Sequence, residues 1–303
     1  MRLMLVDANN VLVRAVEATR RVSLSADGVP TAALLVFINA LSRHVRAEQP
    51  DSVVACWDGG RSEYRSGIFP DYKANRAERP ADDPVRPFGL VKEFLTLANF
   101  QHVERAGWEA DDLIGRYCQL HREHRLGARD GEVVIISSDH DLLQLVGGGV
   151  TQVKVSSRPP DDRWDAERVV RDLGCTPELL PYSMALQGDP GDGVPGMRGI
   201  GPKKAVRLLE AASGQWGVLL DSLSPENRGL VELSHRLVDL REMPYETLGL
   251  RVTSPAAFRP TLPGDALFAL LLDFLNRYQL RSVVERVTAG TLWGSTAGVR
   301  DGA

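Results

Sequence analysis

Cysteine is scarce in this chain. There are three among 303 residues, Cys56, Cys118 and Cys175, far apart and without C-x-x-C spacing. An odd, patternless set excludes a disulfide framework and predicts reduced, buried thiols. Long apolar runs are missing as well. LFALLLDFL, 267–275, comes nearest, and Asp273 interrupts it, which excludes a spanning helix. The N-terminus, MRLMLVD, meets an acid at position 7, too early for the apolar core of a secretion signal. These absences predict a soluble, cytoplasmic chain that uses no membrane. An excess of positive charge is lacking too: 36 Lys and Arg stand against 40 Asp and Glu, a net charge of −4. That balance weighs against a nucleic-acid partner as long as every acid is free. There is no internal repeat. What is present is 43% hydrophobic residues, enough for a real core in one large domain or two ordinary ones.

RLMLV (2–6), SVVACW (52–57) and EVVIIS (132–137) are short apolar runs rich in β-branched residues, which predicts buried strands. Helical patterns lie between them, at 31–45, 85–98 and 110–123. The alternation predicts an α/β fold whose central, mainly parallel sheet is flanked by helices. After about residue 156 strands nearly vanish and helices are expected at 165–174, 177–188, 202–212, 225–242 and 264–278. The chain is therefore read as an α/β core over 1–180, a helical region over 181–287 and a loose tail over 288–303. The tail stretch is rich in Gly, Thr and Ala. Residues 58–84, basic, aromatic and punctuated by Gly and Pro, have no clear period and are expected to be mobile.

Each predicted strand ends in an acid: Asp7, Asp58, and the pair Asp139 and Asp141. In a doubly wound sheet ligands bind outside the carboxyl ends of the strands. Separate stretches thus bring carboxylates to one edge. GWEADDLIG (107–115) adds Glu109, Asp111 and Asp112 at a helix start, with 109 and 112 able to share a face. Any single Asp after a strand serves equally as a turn residue or helix cap, and the macrodipole favours acids at a helix start. The joint pattern favours metal. All candidate donors are carboxylates, with no Cys or His set, which suits Mg²⁺ or Mn²⁺. So many carboxylates exceed the need of one ion and point to two or more, the arrangement used for phosphodiester hydrolysis.

MALQGDPGDGVPGMRGIGPKKAVRLL (184–209) carries two further acids, Asp189 and Asp192. Gly199-Ile200-Gly201 reads as a hairpin, and Pro202 suits the first position of the helix that carries Lys203 and Lys204. Glycines permit close backbone approach, and free N–H groups at a helix start bind phosphate. The segment 193–209 therefore has the form of a helix-hairpin-helix-like element that grips a duplex backbone.

With these residues in hand the sequence resembles the 5′-nuclease family, which includes the 5′→3′ exonuclease domain of bacterial DNA polymerase I, stand-alone phage exonucleases and flap endonucleases. The resemblance runs over about residues 1–250, through VDANN (6–10), WDGGRSEYR (57–65), DYKANRA (71–77), GWEADDLIG, IISSDHDLLQLV (135–146), GDPGDGVPGMRGIGPKKA (188–205) and LSHRLVDLREMP (233–244). It implies a metal-dependent hydrolase that acts as 5′→3′ exonuclease and flap endonuclease in replication, repair or primer removal. By carry-over the metal ligands are Asp7, Asp58, Glu109, Asp111, Asp112, Asp139, Asp141, Asp189 and Asp192. The family's arch corresponds to 60–95. Its Tyr72, Lys73 and Arg76 match a YKxxR motif, and Arg65 matches an upstream arginine. The resemblance makes Lys73 and Arg76 catalytic beside Asp7, Asp58, Asp111 and Asp139, with a cation stabilising charge at the scissile phosphate. It puts Arg65, Tyr72, Gly199, Gly201, Lys203 and Lys204 on DNA and a K⁺ ion at the hairpin.

Expected partners are DNA 5′ ends, flaps and branched duplex, with RNA–DNA hybrid as a further substrate, and the chain is expected to be a monomer. Gly193 departs from the Asn that many bacterial members carry, and the chain stops near 300 with no polymerase domain, as a stand-alone enzyme would. Setting the nine ligands aside turns an excess of four acids into an excess of five bases, which a DNA-binding surface needs. Two alternatives compete: a PIN-type ribonuclease, against which the hairpin and YKxxR segment argue, and a non-catalytic branched-DNA-binding protein, which a missing acid would have supported. Trp57 and Trp108 are read as core and His140 as a surface residue at a helix start. Tyr72 stays open between stacking on a base and packing.

Overall fold

The computed structural model describes residues 1–22, 25–26, 29–75, 87–126, 131–155, 162–248 and 265–294. Its strands are β1 (Arg2–Asp7), β2 (Ser25–Ala26), β3 (Val29–Pro30), β4 (Ser52–Gly59), β5 (Gln101–Ala106), β6 (Glu132–Ile136), β7 (Val150–Lys154) and β8 (Asp162–Trp164). Six of them form one sheet in the order β5-β4-β1-β6-β7-β8, parallel throughout except for the last pair. The three strands read from the sequence sit at its centre, where both faces are covered. Met4 and Val6 of β1 face one apolar layer and Leu3 and Leu5 the other, so a continuous apolar run is what this position demands.

The helices are α1 (Ala8–Thr19), α2 (Ala32–Glu48), α3 (Glu63–Ile68), α4 (Phe88–Leu97), α5 (Ala110–Arg122), α6 (Ala166–Leu173), α7 (Leu180–Gln187), α8 (Pro202–Ala211), α9 (Trp216–Asp221), α10 (Pro225–Val238), α11 (Asp265–Arg277) and α12 (Arg281–Thr288). On one face of the sheet α1, α2 and α4 pack around Phe37, Trp57 and Phe94, and on the other α5 packs through Leu113, Ile114 and Tyr117. The helices from α7 to α10 build a separate apolar cluster around Leu186, Ala205, Leu209 and Val231. Cys56, Cys118 and Cys175 are free and buried. Trp57 is fully buried, and Trp108 stacks on Tyr245 at 6.1 Å. Among the described residues no helix is long and apolar enough to cross a membrane.

Three expectations need correction. First, α11 and α12 belong with the sheet rather than with the helical region: Leu271, Phe274, Leu275, Val283 and Val287 all join the core of α1, α2 and α4. The apolar stripe of α11 finds its partner in α4, where Phe94 and Phe274 meet at 6.5 Å. Second, the loose tail does not begin at 288. Leu292 is buried and Trp293 sits edge-on against Phe100 at 4.7 Å, while 295–303 lie outside the described residues. Third, the C-terminal part of the segment expected as an arch, 60–95, is core, since Val91, Phe94 and Leu95 of α4 are buried. Residues 76–86 of that segment lie outside the described residues.

Candidate metal centre

The carboxyl ends of β1, β4 and β6 meet at one edge of the sheet, and uncharged side chains fix them to one another. Asp7 caps α1, its Oδ1 accepting the Asn10 N–H at 3.0 Å, while the Ser137 hydroxyl donates to its Oδ2 at 2.7 Å. Asn9 Oδ1 accepts the Asp58 N–H and Asn10 Oδ1 accepts the Ser138 N–H, each at 3.0 Å. Asp58 Oδ1 in turn accepts the Ala110 N–H at 2.8 Å, drawing the start of α5 to the same edge. Gln152 Nε2 donates to the carbonyls of Ser137 and Asp139 at 2.9 and 2.6 Å. The sequence reading assigned no role to Ser137, Asn9, Asn10 or Gln152. Asn9 and Asn10 carried a signal, two amides directly after a strand-end acid; Ser137 and Gln152 carried none.

The helical region supplies the other wall. Asp189 and Asp192 lie in the loop after α7, in a turn closed by the Gly191 N–H on Asp189 Oδ1 at 2.7 Å. Gly193 stands at φ +71°, and a Cβ there would meet the Asp71 carbonyl oxygen at 2.7 Å. Glycine is therefore required in this chain because the 71–73 segment presses against the turn. Gln144 bridges the walls: its Nε2 donates to the carbonyls of Asp141 and Val238 at 2.9 and 3.0 Å, and its Oε1 accepts the Leu240 N–H at 2.8 Å. Between the walls lies a cleft of about 190 Å³ bordered by Asp111, Asp141, Asp189 and Asp192.

Arg65 and Tyr72, expected on DNA, are interior, at 1% and 3% exposure. Arg65 Nη1 donates to Glu109 Oε2 at 2.9 Å, Nη2 lies 2.8 Å from Asp112 Oδ1, and Nε donates to the Leu237 carbonyl at 2.8 Å. Burial alone would lower its pKa; the Asp112, Asp111 and Glu109 charges outweigh that and raise it. The Tyr72 hydroxyl donates to Glu109 Oε2 at 2.8 Å. Both side chains lie inside because the acids offer them stronger partners than water does. Lys73 lies between Glu109 at 2.8 Å and Asp192 at 3.6 Å, and its N–H donates to the Asp192 carbonyl at 2.7 Å. Its φ of +51° is the left-handed region a lysine seldom adopts, so the backbone is held there against a local cost of ~1 kcal/mol. Arg76 lies outside the described residues. Gly199, Gly201, Lys203 and Lys204 are exposed, with Lys204 Nζ donating to the Gly199 carbonyl at 2.9 Å. His140 faces Lys154, 2.6 Å from its Nζ.

The nine acids form one electrostatically connected set. Asp7 feels Asp58 and Asp139; Asp58 feels Asp111 and Glu109; Asp141 feels Asp139, Asp111, Asp189 and Asp192; Asp112 feels Asp111 and Glu109. Burial, with like charges adding to it, raises Asp7 to about 8 and Asp141 to about 8. Such carboxyls cannot all ionise near neutrality without counter-ions, and Arg65 and Lys73 offset only part of the charge. Glu109, Asp111 and Asp112 each offer an oxygen within 4.8 Å of the others. The donors present are hard oxygens in surplus, which fits divalent cations of the Mg²⁺ type.

The pH dependence follows with a definite sign. A carboxyl whose pKa rises from 3.8 to about 8 on folding holds its proton more tightly in the folded chain. Its stabilisation is complete below the unfolded value and is lost as pH climbs through the folded one. In EDTA the melting temperature should fall between pH 7 and pH 8.5. Mg²⁺ should raise it, and by more at pH 8.5. A calorimetric scan in which Mg²⁺ shifts neither melting temperature argues against cations among these acids.

Residues 2–174 match the family described as 5′-3′ exonuclease, N-terminal resolvase-like domain. A 5′-3′ exonuclease of Bacillus subtilis (strain 168) is 33% identical over 291 residues, spanning 93% of this chain and 94% of that one. The thermostable DNA polymerase I of Thermus thermophilus is 32% identical over 298 residues, which are 96% of this chain and 32% of the polymerase. Among solved structures, the T5 D15 protein co-crystallised with metal ions shares the fold with a TM-score of 0.64 at 22% identity, over 91% of this chain and 99% of that one. The chain belongs to the 5′-3′ exonuclease family.

Proposed function

We propose that the protein is a structure-specific 5′ nuclease that hydrolyses DNA phosphodiesters near a 5′ end, as 5′→3′ exonuclease and flap endonuclease, in replication, repair or primer removal. The observation that carries this reading is a set of nine mutually interacting carboxylates, four of which border one cleft between the two walls, in a chain of this family. Mg²⁺ is the metal, with Mn²⁺ as a substitute. Asp7, Asp58, Glu109, Asp111 and Asp112 would hold the first ion; Asp139, Asp141, Asp189 and Asp192 would hold the second. When bound, such ions lower the pKa of the attacking water and steady the leaving oxygen.

The chain's own groups do the rest. Lys73, half-buried beside Glu109 and Asp192, donates to the scissile phosphate as charge develops there, and Arg76 assists it. Arg65 and Tyr72 hold Glu109 in place from behind. The α/β core of 1–180, joined by α11 and α12, carries the acids from Asp7 to Asp141, and the helical region from 181 to α10 grips the duplex through the hairpin at 193–209, whose backbone would hold K⁺. Substrates are 5′ ends, flaps and branched duplex, with RNA–DNA hybrid included, and the enzyme works as a monomer.

The test is cleavage of a 5′-labelled flap duplex and a blunt 5′-end duplex, with Mg²⁺ and with EDTA. Metal-dependent release of short 5′ products is expected, and the ratio of flap-length fragments to mononucleotides ranks the two activities. No cleavage, with tight binding to the branched DNA, returns the protein to the binding class. The exposed pair Lys203 and Lys204 gives a second expectation. Lys203→Ala with Lys204→Ala should make the log–log salt dependence of duplex binding shallower by about 2, since each lost phosphate contact removes roughly 0.9. An unchanged slope in fluorescence anisotropy would remove these lysines from the interface.

A further inference from the structure

Away from the acid cleft, a groove of about 780 Å³ runs between α1 and α2 and is bordered by α12. Four guanidinium groups line it, from Arg14, Arg43, Arg46 and Arg286. Among the described residues its single carboxylate, Glu17, is already paired with Arg20 at 2.6 Å. In a chain of net charge −4 this is a concentrated field of the opposite sign. Two of these arginines, Arg46 and Arg286, are oriented by neutral partners. Arg286 Nη2 donates to the neutral Asn39 Oδ1 at 2.5 Å, and Arg46 Nε to the Ser42 carbonyl at 3.4 Å. Burial and, after it, the neighbouring Arg46 charge press the Arg286 guanidinium below its ordinary value.

The floor of the groove decides what kind of anion fits. It is aliphatic, built from Val11, Ala15, Val36 and Ala40, and among the described residues no aromatic side chain lines it. Single-stranded nucleic acid is held by bases stacked on aromatic rings, and the described lining of this groove offers no such platform. A free inorganic anion would leave the aliphatic floor uncovered. A peptide that alternates carboxylates with aliphatic side chains satisfies both surfaces: acids on the arginine rim, apolar groups on the floor. We propose that the α1–α2–α12 groove is a docking site for an acidic, aliphatic peptide segment of a partner protein. Arg14 lies seven residues along α1 from Asp7, about 10 Å along the axis at 1.5 Å per residue. A partner docked here sits beside the acid cleft without entering it.

The test uses the full chain in EDTA and a fluorescein-labelled octapeptide of alternating aspartate and leucine, read by anisotropy. Comparison probes are the same peptide with glycine for leucine, with lysine for aspartate, and an eight-nucleotide oligothymidine. The Asp/Leu peptide should bind in the micromolar range, at least tenfold tighter than either altered peptide, and more weakly as salt rises. Arg14→Glu with Arg46→Glu, both on exposed positions, should weaken it at least tenfold while metal-dependent flap cleavage stays unchanged. Arg286→Gln, a milder change, should weaken it severalfold. Unaltered binding in both variants overturns the proposal, as does no binding at 1 mM peptide. Oligothymidine that binds as tightly and loses affinity in the same variants makes the groove a nucleic-acid track instead. Deletion of residues 295–303 that tightens peptide binding tenfold makes the chain's own C-terminus the occupant and likewise overturns it.

Discussion

Asp111→Asn and Asp139→Asn should each slow cleavage of a 5′-flapped duplex on the order of a thousandfold or more, which corresponds to about 4 kcal/mol of barrier. Affinity for the uncleaved branched duplex should change far less. These two positions are singled out by their place in the cluster. Asp111 raises the pKa of Asp58, Asp112, Asp139 and Asp141 alike, so it stands in the middle of the charge. Asp139 acts on both Asp7 and Asp141 and so joins the acids of β1 to those of the following turn. An amide keeps the shape and removes the charge, so a loss of rate with folding intact reports on cation binding rather than on packing. Single-turnover rates at saturating enzyme, with binding measured separately in EDTA, divide the two effects. Wild-type rates in either variant would sink the metal assignment.

Arg65→Ala should destabilise the metal-free protein by about 3–5 kcal/mol, the usual cost of removing one partner from a buried ion pair. For a chain of this size that is a melting temperature lower by roughly 6–20 °C. The cause is not lost attraction alone. Asp112, fully buried, and Glu109, at 5% exposure, would lose the guanidinium that offsets them in a low-dielectric pocket, where burial already raises Asp112 to about 7. Arg65 also bonds the Leu237 carbonyl, so its removal unfastens the end of α10 from the start of α5. Asp112→Asn in the same chain should recover at least 1 kcal/mol of that loss, because the uncompensated charge goes with it. Urea unfolding in EDTA of the two single variants and the pair measures this coupling. Strict additivity would mean that Arg65 stabilises through packing and not through charge.

The acid edge was legible because its causes are local. A buried central strand reads as an apolar run, its end is marked by the first acid, and parallel connection carries every such end to the same side. Asp7, Asp58 and Asp139 could thus be placed together before any contact was known. The strand β5, none of whose side chains is buried, was missed because QHVERA has neither an apolar run nor clear alternation; it forms by pairing with β4 at the sheet's edge. β7, with Thr151 and Gln152 inside VTQVK, was missed for a similar reason.

Sequence by itself determined the central strands, the helix that opens with Glu109, Asp111 and Asp112, and the carboxylates delivered to one edge, since each depends on residues close together in the chain. Tertiary structure alone decided where the cations went. An arginine 44 residues before Glu109 gains more from two buried carboxylates and a third, partly exposed one than from water or phosphate, and only the folded chain brings them within reach. The same holds for α11 and α12, whose apolar faces matched α4 better than the helices nearer in sequence, and for the arginine groove, which exists only where α12 returns to α1 and α2. Periodicity records which face of an element is apolar; which surface that face will meet is settled by the competition among all of them in the folded molecule.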